Sequence, residues 1–292
     1  MAKVTARDTY KSLDTEEWLD RVFTRPVGLL WARLFIRLGW TPNAVTVLSI
    51  VLGVAAGVLF YFDDLALNAL GILLLVQANI FDSTDGQMAR MTGRKSRLGR
   101  VLDGAAGDLW FVTIYAAICL RLQPQWGVWI WMLGTVAGFG CHTRQARLAD
   151  YYRNIHLRLL KGADGSELDD SRRLRQDYNR LPWRGNRVWK AFLWTYIRYT
   201  AAQEAATPCF QLVRARLFAQ PSLREPFLEG SRPLMAYANL LTFNARALTL
   251  YASLLVGHPW LYFAAEVTVF TALYVVMHRR HERLCRTINN RQ

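Results

Sequence analysis

The feature that most constrains the fold is a series of apolar segments, each about 20 residues long, separated by densely charged stretches. Segments of this length and composition are typical of helices that cross a lipid bilayer. We place six of them near residues 44–61, 65–84, 100–121, 126–148, 234–256 and 259–278. The sequence therefore predicts an all-α, polytopic membrane protein with six transmembrane helices.

The polar regions divide the chain further. Residues 1–39 are predicted to hold an N-terminal segment and an amphipathic helix in the membrane interface, with a short soluble helix as the alternative. Residues 40–148 hold the first four transmembrane helices, and residues 149–233 form a cytoplasmic helical insert. Residues 234–292 hold the last two transmembrane helices and a basic tail. The insert is open to two interpretations, as a lid over an active site or as a dimer contact.

The positive charge indicates how the chain is oriented. The net charge is +14 and the pI is about 10.0, values that also occur in nucleic-acid-binding proteins. Here, however, arginines cluster after the second and sixth apolar segments, while the gaps near 62–65 and 258–259 carry no Lys or Arg. The positive-inside rule then places both termini in the cytoplasm, and we expect a bacterial inner-membrane protein. Its partner is a bilayer, and we expect no nucleic acid.

Acidic residues gather where the second and third apolar segments meet the polar loop between them. Asp82 and Asp85 are three residues apart and share a helix face, and Asp103 begins the next segment. Carboxylates are costly at a membrane boundary and need a compensating partner. Mg²⁺ and Mn²⁺ prefer oxygen ligands, and two such ions can bridge a pyrophosphate. The alternative is a set of solvated aspartates, or aspartates paired with the loop arginines.

A known family signature resembles this stretch. The signature of the CDP-alcohol phosphotransferases is similar to the pattern Asp82-x2-Asp85-Gly86-x2-Ala89-Arg90-x8-Gly99-x3-Asp103. The resemblance implies a six-helix membrane fold and two divalent cations, Mg²⁺ or Mn²⁺, which hold the pyrophosphate of a CDP-linked donor. It implies metal ligation by Asp82, Asp85 and Asp103, and nucleotide binding by Asn43, Gly86, Ala89 and Arg90. It also implies a homodimer.

The pattern departs from the signature at its last position. The family ends Asp-x3-Asp, with the last Asp as the general base, whereas here position 107 is Gly and Asp108 follows. On a regular helix Asp108 points about 140° away from Asp103. Either a π-bulge within residues 104–107 restores Asp108 to the site, or the base has changed. His142 and His156 are then the candidates, because a neutral imidazole suits general-base work.

Other polar residues lie in or near the later apolar segments. Arg144 and Arg147 could bind the phosphate of an acceptor or a lipid headgroup, or could simply anchor the segment at the cytoplasmic side. Arg246 and Glu266 are costly inside a membrane unless they are paired. We expect them to form either a structural pair or part of a substrate pocket.

The predicted function is metal-dependent phospholipid synthesis. A phospho-alcohol group passes from a CDP-alcohol, such as CDP-diacylglycerol, to a hydroxyl acceptor, and CMP is released. One alternative is transfer of a phospho-headgroup, such as phosphoinositol, from a phospholipid to a ceramide-type lipid alcohol without a nucleotide. Alternatives of another class are a cation-binding transporter and an inactive membrane scaffold.

Overall fold

The computed structural model describes residues 12–94 and 97–291, and within these ranges the chain is helical and has no β-strand. Four of its helical stretches are long and apolar enough to cross a membrane, namely Pro42–Leu59, Leu65–Thr92, Val101–Trp126 and Trp260–Asn289. They coincide with the first, second, third and sixth predicted segments. The prediction of an all-α, polytopic membrane protein is therefore confirmed.

The helices follow one another with short connections. In chain order they are α1 (Arg25–Arg37), α2 (Pro42–Leu59), α3 (Leu65–Thr92), α4 (Arg97–Trp126), α5 (Val128–Thr135), α6 (Thr143–Lys161), α7 (Ser171–Arg180), α8 (Arg187–Ala206), α9 (Pro208–Ala219), α10 (Arg224–Leu240), α11 (Phe243–Leu255), α12 (Trp260–Ala265) and α13 (Thr271–Asn289). Three segments are π-helical, namely Asp20–Thr24, Val136–His142 and Glu266–Phe270. Short 3₁₀ turns lie at Ala163–Gly165 and Pro221–Leu223.

The chain forms two compact units, and the first comprises residues 16–142 and 244–268. Within it, α2 packs along both α3 and α4, and α1 packs on α3. The contact between α2 and α4 is close, because a Cβ atom added to Gly53 would lie 2.2 Å from the Trp110 side chain. Buried apolar residues form its core, among them Ala32, Phe35, Val45, Ile80, Phe81 and Met88.

Local signals set the ends of the helices in this unit. Thr41 caps the start of α2, where its hydroxyl accepts a hydrogen bond from the Ala44 N–H at 3.3 Å. Asp64 caps α3 in the same way through the Leu67 N–H at 2.8 Å. Gly93 then ends α3 with a φ of +69°, a left-handed conformation that favours glycine. The end of α3 therefore follows the aspartate motif by only a few residues.

The second unit comprises residues 143–243 and 269–291 together with a short segment that ends at Thr15. In this unit α6 packs on α10, and α13 packs on α9 and α10. A buried lysine joins α7 to α8, since Lys190 Nζ donates to the Tyr178 and Leu181 carbonyl oxygens at 2.9 and 2.8 Å. The predicted insert is thus helical throughout most of its length. Its cytoplasmic location stays a prediction.

The structure differs from the sequence prediction in two of the six segments. The segment predicted at 234–256 is not one helix, because α10 ends at Leu240 and α11 begins at Phe243. In the segment predicted at 126–148, α5 is followed by the π-helical residues Val136–His142 and the start of α6. Neither segment is among the four candidates found in the described residues. The count of six spans and the interfacial position of α1 stay predictions, and residues 1–11 of the predicted N-terminal segment lie outside the described ranges.

Candidate functional site

Three aspartates from two helices meet in the first unit. Asp82 and Asp85 lie on α3, one turn apart, and Asp103 lies near the start of α4. One carboxylate oxygen from each can be chosen such that all three lie within 4.8 Å of one another. Asp85 is buried, Asp82 is half-buried and Asp103 is exposed. The helices thus bring together the three residues that the sequence predicted as metal ligands.

A hydroxyl on α2 fixes one of these carboxylates. The Thr46 hydroxyl donates a hydrogen bond to Asp85 Oδ2, and it also lies 3.1 Å from the Pro42 carbonyl oxygen. Asn43 is half-buried and precedes Thr46 by three residues, so both lie on the same side of α2. The first turn of α2 therefore faces the carboxylates, which is where the family resemblance expects Asn43 to bind the nucleotide.

Like charges lie close together in this cluster. Arg90 interacts electrostatically with Asp85 and Asp103, and Arg25 interacts with Asp82. Arg25 is shared, because its Nη2 lies 3.0 Å from Glu16 Oε1 in an ion pair. Asp82 is repelled by Asp85, Asp103 and Asp20, so bringing these carboxylates together is costly.

This arrangement fits divalent cations. Its donor set consists of carboxylate oxygens, which Mg²⁺ and Mn²⁺ prefer. The repulsion between carboxylates in a partly buried place supplies the electrostatic reason for a cation to bind there. Bound cations of this kind neutralise the negative charge of a phosphate group and orient it for attack. Asp82, Asp85 and Asp103 are the residues that would hold them.

The small residues of the motif leave space next to the carboxylates. A Cβ atom added to Gly86 would meet Arg90 Nη1 at 3.5 Å, an ordinary van der Waals distance. Ala89 is half-buried and follows Asp85 by four residues, so the two share a face of α3. The Arg90 side chain therefore borders the space above Gly86. The nucleotide-binding roles of these residues stay predictions.

Asp108 lies away from the other three aspartates along α4. The helix is regular from Arg97 to Trp126, so the π-bulge considered for residues 104–107 does not occur in it. Asp108 is exposed and keeps the rotation of about 140° from Asp103 that a regular helix imposes. The hypothesis that a bulge returns Asp108 to the cluster is therefore wrong for this structure. A catalytic role for Asp108 itself stays a prediction.

His142 belongs to a second group of polar residues in the same unit. His142 Nδ1 lies 3.4 Å from Glu266 Oε1, and Arg246 forms an ion pair with the other oxygen of Glu266. The Tyr115 hydroxyl also lies 3.4 Å from His142 Nδ1. The structure thus shows Arg246 and Glu266 as a pair, and it adds His142 to them.

The remaining predicted residues lie in the second unit. Arg144 and Arg147 belong to the first turns of α6, where Arg144 is exposed and Arg147 is half-buried. His156 is fully buried, with Nδ1 2.8 Å from Ser231 Oγ and Nε2 3.1 Å from Asp14 Oδ2. Burial lowers the pKa of His156, although Asp14 acts in the opposite direction. With both nitrogens hydrogen-bonded, His156 is a poor candidate for the base, while the phosphate-binding role of the two arginines stays a prediction.

Sequence reasoning missed the groups that surround the carboxylates. The sequence prediction gave Thr46 no role, although it contacts Asp85 directly. Arg25 lay in the predicted interfacial helix with no link to the site. A hydroxyl inside an apolar helix, one turn after Asn43, is the signal that could have identified Thr46. Arg25 could not have been found, because nothing local in the sequence brings it near Asp82.

Part of the chain is similar to a known protein family and to several named proteins. The family model for CDP-alcohol phosphatidyltransferase matches residues 39–155. The "Bifunctional IPC transferase and DIPP synthase" of Aquifex aeolicus is 30% identical over 99 residues, which is 34% of this chain and 22% of that protein. The "Archaetidylinositol phosphate synthase" of Pyrococcus horikoshii is 35% identical over 91 residues, or 31% of this chain and 47% of the relative.

A third relative is similar to this chain over a stretch of comparable length. The "Phosphatidylinositol phosphate synthase" of Mycobacterium marinum is 38% identical over 92 residues, which is 28% of this chain and 38% of that protein. The chain therefore spans less than half the length of each of these relatives. The matched residues include all three clustered aspartates, Thr46 and His142. Residues 39–155 of this chain are therefore similar to the CDP-alcohol phosphatidyltransferase family.

Proposed function

We propose that this protein is a metal-dependent membrane phosphotransferase of phospholipid synthesis. It moves a phospho-alcohol group from a CDP-alcohol, such as CDP-diacylglycerol, to a hydroxyl acceptor and releases CMP. The observation that carries the proposal is the meeting of the Asp82, Asp85 and Asp103 carboxylate oxygens within 4.8 Å. The family match over residues 39–155 supports the same reaction class.

The proposed roles follow from what each residue offers. Asp82, Asp85 and Asp103 hold two divalent cations, Mg²⁺ or Mn²⁺, and Thr46 keeps Asp85 in place. Arg90 supports a phosphate of the donor, because its guanidinium lies beside the same carboxylates. The acceptor hydroxyl attacks the donor phosphorus, a new O–P bond forms, and the P–O bond to CMP breaks.

Nucleotide binding is proposed for the small and polar residues nearest the carboxylates. Asn43 lies on the side of α2 that carries Thr46, and Gly86 leaves the space that Arg90 borders. Ala89 lies on the face of Asp85 and permits a close approach. The cytidine group of the donor would use this space.

The acceptor and its base are the less defined part of the proposal. Asp108 and His142 are the two candidates for taking the proton of the acceptor hydroxyl, and Arg144 and Arg147 are the candidates for binding an acceptor phosphate or a lipid headgroup. Two of the relatives are named as synthases of archaetidylinositol phosphate and of phosphatidylinositol phosphate, which supports an acceptor that carries a phosphate. A homodimer in the bacterial inner membrane, with both termini in the cytoplasm, belongs to the same proposal.

A second candidate function is headgroup exchange between a phospholipid and a lipid alcohol, such as a ceramide, without a nucleotide. The displaced Asp108 favours it. The signature of the nucleotide-dependent family places the base at position 107, where this chain has Gly. A transporter is supported less well. The charged residues of the later spans, Arg246 and Glu266, neutralise each other as a pair.

One assay separates these functions. Purified protein is supplied with CDP-diacylglycerol or with phosphatidylinositol as the donor, together with inositol phosphate and ceramide as hydroxyl acceptors. Each reaction is run with and without a chelator, and CMP and lipid products are measured. We expect CMP release with the first donor only, and its loss with chelator. Product from phosphatidylinositol alone would establish headgroup exchange, and no product from either donor would favour the transporter or scaffold.

A further inference from the structure

We infer that Glu266 is a positioning residue that orients His142 to accept the proton of the acceptor hydroxyl, with Arg246 holding Glu266 in place. This inference rests on the proposed phosphotransfer and names its base. It draws on three residues from distant parts of the sequence that the first unit brings together. We call Arg246, Glu266 and His142 the relay.

The relay is built on two unusual helical segments. His142 is the last residue of the π-helical segment Val136–His142, and Glu266 is the first residue of the π-helical segment Glu266–Phe270. Such segments widen a helix and change the direction of its side chains, and they occur frequently at functional sites. The bulge that the sequence suggested for α4 is thus absent there, while π-helical turns carry both members of the His142–Glu266 contact.

The burial of the three side chains differs in a way that suits proton transfer. Arg246 and Glu266 are 1% and 0% exposed, whereas the His142 side chain keeps 13% of its surface exposed. A buried ion pair in an apolar helical unit is costly and by default suggests a function. The imidazole is the member of the relay that a substrate can reach.

The contacts of His142 indicate which of its ring nitrogens can accept a proton. Nδ1 of His142 faces a Glu266 oxygen at 3.4 Å, and an ionised carboxylate can only accept a hydrogen bond. The Tyr115 hydroxyl lies 3.4 Å from the same nitrogen and donates to the Tyr262 hydroxyl, so it can also accept a hydrogen bond from Nδ1. In the tautomer that suits both acceptors, Nδ1 carries the proton and Nε2 has the lone pair that can accept another. A carboxylate behind one nitrogen and a substrate at the other is the arrangement in which histidine acts as a general base.

The position of His142 relative to the carboxylate cluster follows from its contact with α4. Its ring lies 4.3 Å from the Phe111 ring, and Phe111 shares a face of α4 with Asp108 and Tyr115. Phe111 follows Asp103 by eight residues, a rise of about 12 Å and a rotation of about 80°. An acceptor hydroxyl that His142 activates must therefore lie between this part of α4 and the phosphate held by the carboxylates.

The proton balance of the step is complete. As the acceptor oxygen bonds to phosphorus and the bond to CMP breaks, the hydroxyl proton moves to His142 Nε2. The imidazolium that forms is stabilised by Glu266, whose charge is in turn stabilised by Arg246. The other titratable groups facing the relay are Tyr115 from α4 and Tyr262 from α12, whose hydroxyls are 3.5 Å apart, and Cys141, which precedes His142.

The test measures CMP release against pH for the wild type and for H142Q, E266Q, E266D and H142Q/E266Q. His258 is an exposed histidine outside the relay, so H258Q is the matched control. We expect H142Q to lower kcat by about 10²- to 10⁴-fold and to remove the acidic limb of the pH profile. E266Q should lower kcat by about 10- to 100-fold and shift that limb to lower pH, because the imidazolium loses its negative partner.

Two further comparisons identify a positioning role. E266D should recover part of the rate, and H142Q/E266Q should be no slower than H142Q, because Glu266 acts only through His142. Folding is checked by elution volume and by CDP binding, which a properly folded variant retains. If E266Q fails to fold, H142Q and E266D still decide the question.

The inference is overturned if H142Q keeps the wild-type pH profile, or if the E266Q and H142Q losses multiply. Failure of the underlying function has a different signature. In that case the wild type releases no CMP, and D82N behaves like the wild type. The relay would then have no catalytic role either.

Discussion

The carboxylate cluster and the relay are two groups of charged residues in the same unit, and they are opposite in composition. The cluster gathers three like charges, and Arg90 and the shared Arg25 lie beside them. The relay joins one carboxylate to an arginine and a histidine, so opposite charges meet in it. Repulsion between the carboxylates thus favours cation binding at the cluster, whereas attraction holds the relay together.

The difference also shows how burial and charge are connected in a membrane protein. Asp103 is exposed, so the cluster is open on one side, where cations can reach it. Arg246 and Glu266 are sealed from solvent, where an unpaired charge would be far more costly. Loss of one charge should thus affect turnover most in the cluster and stability most in the relay.

The largest expected effect is on turnover, from neutralising a carboxylate of the cluster. D82N, D85N and D103N should each lower CMP release by at least about 10³-fold, because each removes a metal ligand that is worth several kcal/mol in the transition state. Asp177 is an exposed aspartate on α7, so D177N is the matched control and should be as active as the wild type. Retained turnover in any of the three variants would contradict the metal site.

The next effect concerns cation removal. Chelation should abolish turnover, and Mg²⁺ or Mn²⁺ should restore it. A cation present at 100 times its Kd should also stabilise the folded state by about 2.7 kcal/mol. Thermal unfolding in detergent, with and without the cation, measures this gain. D82N should lack it while E266Q retains it, and a gain of equal size in both variants would contradict the assignment of the cations to the cluster.

Loss of one charge in the relay should affect stability more than loss of one charge in the cluster does. R246M should destabilise the protein by about 3–5 kcal/mol, because it leaves the Glu266 carboxylate buried without its ion-pair partner. R246M/E266M should regain most of that stability, since no uncompensated charge remains, but should not regain turnover. Denaturation midpoints and CMP release measured on the same samples test both statements. A double variant as unstable as R246M would show that the apolar replacements do not fit.

The smallest effect is expected from the hydroxyl that contacts the cluster. T46V removes the donor to Asp85 and should raise the Mg²⁺ concentration for half-maximal turnover by about 10-fold, as expected for a hydrogen bond to a charged group. T46S should behave like the wild type. Thr113 is a half-buried threonine on α4 whose hydroxyl donates to the Leu109 carbonyl oxygen of its own helix, which makes T113V the control. An unchanged Mg²⁺ requirement in T46V would contradict the role of Thr46.

The sequence predicted the parts of the fold that depend on local composition. Long apolar runs predicted the helices at 44–61, 65–84 and 100–121, and the spacing of Asp82 and Asp85 predicted that they share a face. The break at residues 241–242 was missed because hydrophobicity does not reveal it. There the Leu241 N–H bonds back to the Tyr237 and Ala238 carbonyl oxygens, and the Thr242 hydroxyl donates to the Asn239 carbonyl oxygen.

The contacts between distant segments were beyond the reach of sequence patterns. The sequence predicted that Arg246 and Glu266 form either a structural pair or part of a substrate pocket, because each would be costly alone in a membrane. It did not connect them to His142, which lies more than 100 residues earlier and meets Glu266 through π-helical segments that no periodicity marks. The regular course of α4 past Gly107 was likewise a question that only the structure answered.

The hydrogen bond from Thr46 to Asp85 has a consequence for the selectivity of the protein among cations. Because Oδ2 of Asp85 already accepts a hydrogen bond from the hydroxyl, binding of an ion through both oxygens of this carboxylate is less favourable than binding through Oδ1 alone. Ca²⁺ is frequently bound by both oxygens of a carboxylate and tolerates seven or eight ligands, whereas Mg²⁺ requires six at shorter distances. If a cation binds at the cluster, a single threonine on a neighbouring helix therefore favours Mg²⁺ over Ca²⁺.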